Sequence, residues 1–256
     1  MRICSYKNDI GIKKKVNQDS ILIKEASTEK GDITFLVVCD GMGGLSSGEI
    51  ASGSVIRRFD KWFDEKLAYA LGEEDVVSAI ESEWDFLIKD ASRELFDFGE
   101  DRHLQLGTTC TALIILDDNR YIFAHIGDTR IYQLKNKEIS VLTTDHTFIA
   151  KEIRDGRLTE EEAKTDPRRN MLLQAIGACE YIEIDMSDGY VNGGELYMLC
   201  SDGFRHKISN EELIEKFSEI RTKEELETVV NTSVELVKER GEVDNISLIA
   251  IKILEE

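Results

Sequence analysis

Short apolar runs of strand length frame this chain: 20–25, 33–39, 108–116, 120–126, 129–134, 181–186, 195–200 and 246–253, each bounded by Gly, Asp or Asn. Helical patterns interrupt and follow them. After Ser46, whose spacing to Glu49 matches a capping box, Ile50, Val55, Phe59, Trp62 and Phe63 fall on one face. Val77, Ile80, Trp84, Leu87, Ala91 and Leu95 hold the 3.6-residue period through 73–97. Ser209 with Glu212 and Thr222 with Glu225 open two more helices. The last carries a stripe of Leu226, Val229, Val230, Val234 and Val237 and stops at Gly241. This order predicts an α+β chain with helices covering both faces of sheet-on-sheet packing, and the Trp and Phe residues of the stripes in the core.

The length of 256 residues, at about 150 per domain, allows one or two domains. There is no repeat and no Pro/Ser-rich linker. With one proline, Pro167, a hinge would have to be made of glycine, so the chain reads as a single domain. Lys and Arg number 32 against 51 Asp and Glu, a net charge of −19. That balance excludes nucleic acid and anionic membrane as main partners, since both need a basic footprint. No run approaches the ~18 apolar residues of a membrane span. The first residues include Arg2, Lys7 and Asp9 without an apolar stretch, so no signal peptide is expected and the expected location is the cytoplasm. The 5 cysteines (Cys4, Cys39, Cys110, Cys179, Cys200) show no CxxC spacing and read as free thiols of a reducing compartment.

The chemistry therefore falls to carboxylates. The 4 histidines (His103, His125, His146, His206) have spacings that suit no zinc site, and no GxSxG, Walker or GxGxxG loop joins a strand to a helix. What recurs is aspartate at the end of an apolar strand. ITFLVVC runs into Asp40-Gly41, LYMLC into Ser201-Asp202-Gly203, and FAHIG into Asp128; Asp244-Asn245 precedes ISLIAIKI, and Asn17-Gln18-Asp19 precedes SILIKE. Asp-Gly is also a common turn dipeptide, and Asp155-Gly156 and Asp188-Gly189 read as turns. The others differ in having a buried strand to deliver them. Carboxylates projected from rigid strand ends into one cleft repel each other, and a bound cation is the usual remedy. Oxygen donors without His or Cys select Mg²⁺ or Mn²⁺, and a pair of such ions suits hydrolysis of a phosphate ester.

The ordered series NQDS (17–20), VVCDGMGG (37–44), GTTCTALI (107–114), HIGDTRIY (125–132), LTTDHT (142–147), LCSDGF (199–204) and VDNISLI (243–249) resembles the metal-dependent protein phosphatases. These are the PPM or type 2C Ser/Thr phosphatases, and the likeness is closest to their compact bacterial branch and spans about residues 8–252. The resemblance implies a four-layer α-β-β-α sandwich of two mainly antiparallel sheets flanked by helix pairs. It implies a two-ion site in which Asp40 bridges, Gly41 binds through its carbonyl, and Asp202 and Asp244 complete one ion's ligands. Asp19, beside Gln18, would hold ion-bound water, and Asn245 would orient its neighbour or bind water. Asp128 with Asp202 would take a third, weaker ion. Residues 148–177 correspond to a flap over the cleft, whose Arg168 and Arg169 are expected phosphopeptide contacts.

Three positions depart from the pattern. Lys14 stands where relatives carry a phosphate-clamping arginine; it keeps the charge and loses the planar fork. Gln18 stands where many relatives have an acid, and Met42 where eukaryotic relatives have a histidine proposed as general acid. The implied reaction is in-line attack on phosphoserine or phosphothreonine by a hydroxide bridging two Mn²⁺ or Mg²⁺ ions, with Lys14 and the ions neutralising the phosphoryl oxygens and no phosphoenzyme. The expected partners are phosphorylated proteins opposed by a Ser/Thr kinase, and the expected state is a monomer. The alternatives are a phosphoprotein-binding pseudophosphatase and an esterase of small phosphorylated metabolites. Loss of a metal aspartate would mark the pseudoenzyme, and Asp40, Asp202 and Asp244 are all present.

Overall fold

The computed structural model describes residues 1–29, 31–43, 47–163, 165–169 and 171–255. In chain order it contains β1 (Arg2–Asp9), β2 (Asp19–Ser27), β3 (Asp32–Gly43), α1 (Gly48–Glu65), α2 (Leu67–Ala70), α3 (Val76–Arg102), β4 (Leu106–Thr108), β5 (Cys110–Ile115), β6 (Arg120–Ile126), β7 (Arg130–Lys135) and β8 (Glu138–Val141). Then follow α4 (Phe148–Arg154), α5 (Glu160–Ala163), β9 (Asp185–Tyr190), β10 (Leu196–Cys200), α6 (Asp202–Arg205), α7 (Asn210–Phe217), α8 (Lys223–Glu239) and β11 (Ile246–Ile253). One sheet has the order β1-β11-β10-β7-β8 and the other β2-β3-β5-β6-β9, with β4 paired to β3; every pairing is antiparallel.

Strand periodicity explains the layering. In β3, Ile33, Phe35, Val37 and Cys39 enter a core shared with Val55, Phe59, Trp62, Ile80 and Trp84 of α1 and α3. The alternate residues Leu36 and Val38 enter a second core between the sheets, against Leu113, Tyr197, Leu199, Ile249 and Ile251. On the far side Leu196, Met198, Leu248 and Ala250 pack on Phe217, Leu226, Val230 and Val234. Strands covered on both faces read as continuous apolar runs, which is what the sequence shows. The result is the expected α-β-β-α sandwich.

Helix ends follow side-chain chemistry. The capping boxes at Ser209 with Glu212 and at Thr222 with Glu225 both form. Asp75 accepts from the Ser78 backbone N–H to start α3, and His103 ends it in the left-handed conformation. Ser46 lies outside the described residues; α1 is preceded by Ser47, whose side chain makes no cap. Ile50 is turned away from the core and is 41% exposed, while Ala51 and Ser52 occupy the buried face.

Other expectations move. β1 and β8 are sheet edges with mixed polar sequences, and neither was anticipated. The run at 108–116 is divided at Thr109, which turns its polar groups toward Asp40. The strand expected at 181–186 lies instead at Asp185–Tyr190. Its Asp188-Gly189 pair, expected as a turn, is edge strand opposite Tyr121 and Ile122. A Cβ on Gly189 would lie 2.6 Å from the Tyr121 ring, so the glycine makes room for that ring. No helix among the described residues is long and apolar enough to cross a membrane.

Candidate active site

β2 and β3 bring Asp19 and Asp40 together as directly paired residues at one end of their ladder. Thr108 and Thr109 fix the backbone of Asp40. The Asp40 carbonyl accepts from the Thr109 N–H at 2.9 Å and from the Thr108 hydroxyl at 3.0 Å, and the Asp40 N–H donates to Thr109 Oγ1 at 2.9 Å. The Gly41 N–H donates to the Gln18 carbonyl at 3.1 Å. A Cβ on Gly41 would lie 2.3 Å from the Gly48 carbonyl oxygen and 2.5 Å from that of Gln18, so glycine alone permits this closure of β3 on the start of α1.

β10 delivers Asp202 at the start of α6, and Asp244 precedes β11. Asn245 ties this edge to the loop before β2. Its Oδ1 accepts from the Gln18 N–H at 2.9 Å, and its Nδ2 donates to the carbonyls of Ile10 (2.9 Å) and Val16 (3.2 Å). The expected role of orienting a neighbour is thus extended to holding a loop. That loop carries Lys14, whose Nζ sits 2.5 Å from Asp244 Oδ1. Burial pulls the Lys14 ammonium down, but Asp244 first, then Asp40 and Asp202, hold it above its ordinary value.

The aspartates form one electrostatic neighbourhood. Burial pushes Asp40 well above the carboxylate range, and the charges of Asp19, Asp202, Asp128 and Asp244 add to it. Asp19 is pushed up to about 7 by burial, with Asp202 and Asp244 adding; the Ser247 hydroxyl, donating to Oδ2 at 2.7 Å, opposes. Among the described residues Asp19 Oδ1, buried, has no hydrogen-bond partner. Asp128 likewise reaches about 7, from burial and then Asp202, opposed by Arg205.

Asp128, Asp202 and Asp244 line a cleft of about 660 Å³, walled on the other side by α4 and α5. Arg169 also lines it. Arg168 does not: it pairs with Asp166 at 2.8 Å and stacks on Phe148, 4.2 Å from the ring centre. The flap segment is joined to β4 through a bridge between Thr108 and Ile176, and its two ends meet in a bridge between Thr147, the cap of α4, and Leu172.

A charged cluster in the cleft wall, Arg130, Asp145 and Arg205, carries no role expected from the sequence. Arg205 Nη2 lies 3.1 Å from Asp128 Oδ2, 3.3 Å from the Asp128 carbonyl oxygen and 3.6 Å from Asp145 Oδ2. Arg130 grips Asp145 with two bonds of 2.8 and 2.7 Å and holds it below the ordinary carboxylate range in spite of burial. Asp145 and Arg130 were inside the quoted motifs; Arg205 follows SDGF directly, and no spacing signals its partner.

Among the described residues no three Asp, Glu, His or Cys side chains already form a closed ligand cluster for a metal. The residues nonetheless fit divalent ions. Carboxylates that raise one another's proton affinity lie at and beside the cleft, Asp19 has a buried oxygen without a partner among the described residues, Lys14 serves Asp244 as counter-charge, and the donors are all oxygen.

Residues 12–238 match the family model described as Protein phosphatase 2C. The chain is 29% identical over 255 residues to the protein phosphatase PhpP of Streptococcus pneumoniae, covering 98% of each. The solved S. agalactiae serine/threonine phosphatase superimposes with a TM-score of 0.83 at 29% identity, covering 100% of both chains. The catalytic domain of the phosphatase PstP, solved in complex with 2 manganese ions, gives 0.79 at 26% identity, also with 100% of both chains covered. With Asp128, Asp202 and Asp244 lining one cleft and Asp19 paired with Asp40 at a strand end in this fold, the chain belongs to the protein phosphatase 2C family, the PPM-type serine/threonine phosphatases, alongside bacterial relatives.

Proposed function

We propose that this chain hydrolyses phosphoserine and phosphothreonine monoesters of proteins, as a single catalytic domain over 1–256 with a flap at about 148–177. The observation that carries the reading is the lining of one cleft by Asp128, Asp202 and Asp244, with the strand-paired Asp19 and Asp40 near enough to feel the charge of Asp202 and Asp244. Asp40, the Gly41 carbonyl, Asp202 and Asp244 would hold two Mn²⁺ or Mg²⁺ ions; a third, weaker ion at Asp128 and Asp202 would have to displace Arg205 from Asp128. When bound, such ions would supply charge neutralisation at phosphorus and an activated water for direct, in-line displacement.

The chain's own groups do the rest. Asp19 and Gln18 position water beside the carboxylates, and Asn245 fixes the loop that presents Lys14. Lys14, beside Asp244, neutralises a phosphoryl oxygen of the bound substrate as a point charge. Arg169 on the flap meets the phosphopeptide, with Arg168 a further contact from the flap surface. The Arg130–Asp145–Arg205 cluster keeps Asp128 in place. The substrates are proteins phosphorylated by an opposing Ser/Thr kinase, and the protein works as a cytoplasmic monomer.

The test is phosphate release from a phosphothreonine peptide with Mn²⁺, with Mg²⁺ and with EDTA, alongside Asp202→Asn. Metal-dependent release lost in EDTA and in the variant is the expected result. A folded protein without turnover under any metal would instead identify a phosphoprotein-binding pseudoenzyme.

A further inference from the structure

On the α4–α5 side of the cleft an apolar strip, bordered by Glu160 and Arg169, lies outside the three cores. α4 has no buried residue, yet Ile149 and Ile153, four apart on one face, both line the cleft half-buried. Neither joins any of the three hydrophobic cores. Ala163 of α5 lines the same wall. Val243, 45% exposed and next in sequence to Asp244, carries the apolar surface around to the carboxylate end.

We infer that this wall is a subsite for an apolar side chain flanking the phosphorylated residue, so that the protein selects phosphopeptides with a Leu-like neighbour. The inference rests on the phosphatase reading. The occupant is argued from continuity: Ile149, Ile153 and Val243 share one cleft with Asp202 and Asp244. A peptide whose phosphate reaches those carboxylates and their ions has its adjacent residue against Val243 and α4. Hydrocarbon placed there covers side chains that otherwise face water, whereas a polar neighbour gains nothing from them.

The experiment uses the Mn²⁺-loaded protein and phosphothreonine peptides with Leu or Ser on either side of the phosphoresidue. N-acetyl-phosphothreonine amide, which has no flanking side chain, is the reference substrate. The Leu peptide should show a kcat/KM about ten-fold higher than the Ser peptide, carried by KM. In Ile153→Ser, and separately in Ile149→Ser, that ratio should fall toward one while the reference substrate is turned over as before. Equal KM values for the Leu and Ser peptides, with the reference substrate hydrolysed normally, would overturn the subsite alone. No hydrolysis of any substrate would overturn the phosphatase reading and the subsite with it.

Discussion

The side-chain oxygen of Asn245 accepts the backbone N–H of Gln18 at 2.9 Å, joining residues 227 positions apart in the chain. The same side chain donates to two carbonyls of the 10–16 loop, so its amide orientation is fixed by its partners. Asn245→Ala strands one donor and two acceptors at a buried site and should lower unfolding free energy by about 2–3 kcal/mol in chemical denaturation. It should also raise KM for a phosphopeptide by loosening the loop that carries Lys14. A variant as stable as the parent would show that the loop is held from elsewhere.

Arg205 is the cation nearest Asp128, at 3.1 Å, and its removal leaves that buried carboxylate facing Asp202 and Asp145. Arg205→Ala should destabilise the fold by about 3 kcal/mol. Arg205→Lys should recover only part of this, because an ammonium cannot span both carboxylates. Urea midpoints of the two variants measure the difference, and an unchanged midpoint for Arg205→Ala would refute the bridging role.

His125 is fully buried, its ring nitrogens engaged by the Thr111 hydroxyl at 2.9 Å and the Thr144 carbonyl at 3.1 Å. Burial, with His146 adding and Asp145 and Asp185 opposing, brings it from 6.5 down to about 4. The unfolded chain therefore binds a proton at pH values where the folded chain does not. The contribution of His125 is complete above about 6.5 and is lost as pH falls toward about 4, by roughly 3 kcal/mol. His125→Gln should flatten this part of the profile relative to the parent. Parallel profiles of the two proteins would show that acid sensitivity arises elsewhere.

Lys14 gives a single point charge at 2.5 Å from Asp244. Lys14→Arg should lower KM for a phosphothreonine peptide several-fold by restoring a two-pronged donor, with little change in kcat. Lys14→Ala should raise KM. Steady-state kinetics with Mn²⁺ checks both, and indifference of KM to both changes would remove Lys14 from the substrate site.

The sandwich was legible because β3, β5, β10 and β11 are covered on both faces and so read as unbroken apolar runs, while α3 and α8 show their buried stripes by period. The aspartates were legible for the same reason: Asp40 and Asp202 stand where such runs stop. β1 was invisible because an edge strand can be built from residues as polar as Ser5, Lys7 and Asn8, its ladder to β11 being made by backbone alone. Gly189 misled because its role is set by the Tyr121 ring on a neighbouring strand. The Arg205–Asp128 and Arg130–Asp145 pairs connect strand ends and turns that only the folded topology brings together, and local spacing carries no trace of such pairing.

Phe35, Val37 and Cys39 belong to one hydrocarbon interior, Leu36 and Val38 to another, and Asp40 is the next residue along. Sliding β3 by a single step would exchange the occupants of both interiors at once, a misfit that close-packed cores do not absorb. The carboxylate's address is therefore written in oil: two greasy rooms on opposite sides of a strand act as the vernier that sets a charged atom. A conservative swap such as Val37→Ile, remote from any polar group, acts on the site through this scale, because a displaced strand carries its terminal oxygen atoms with it.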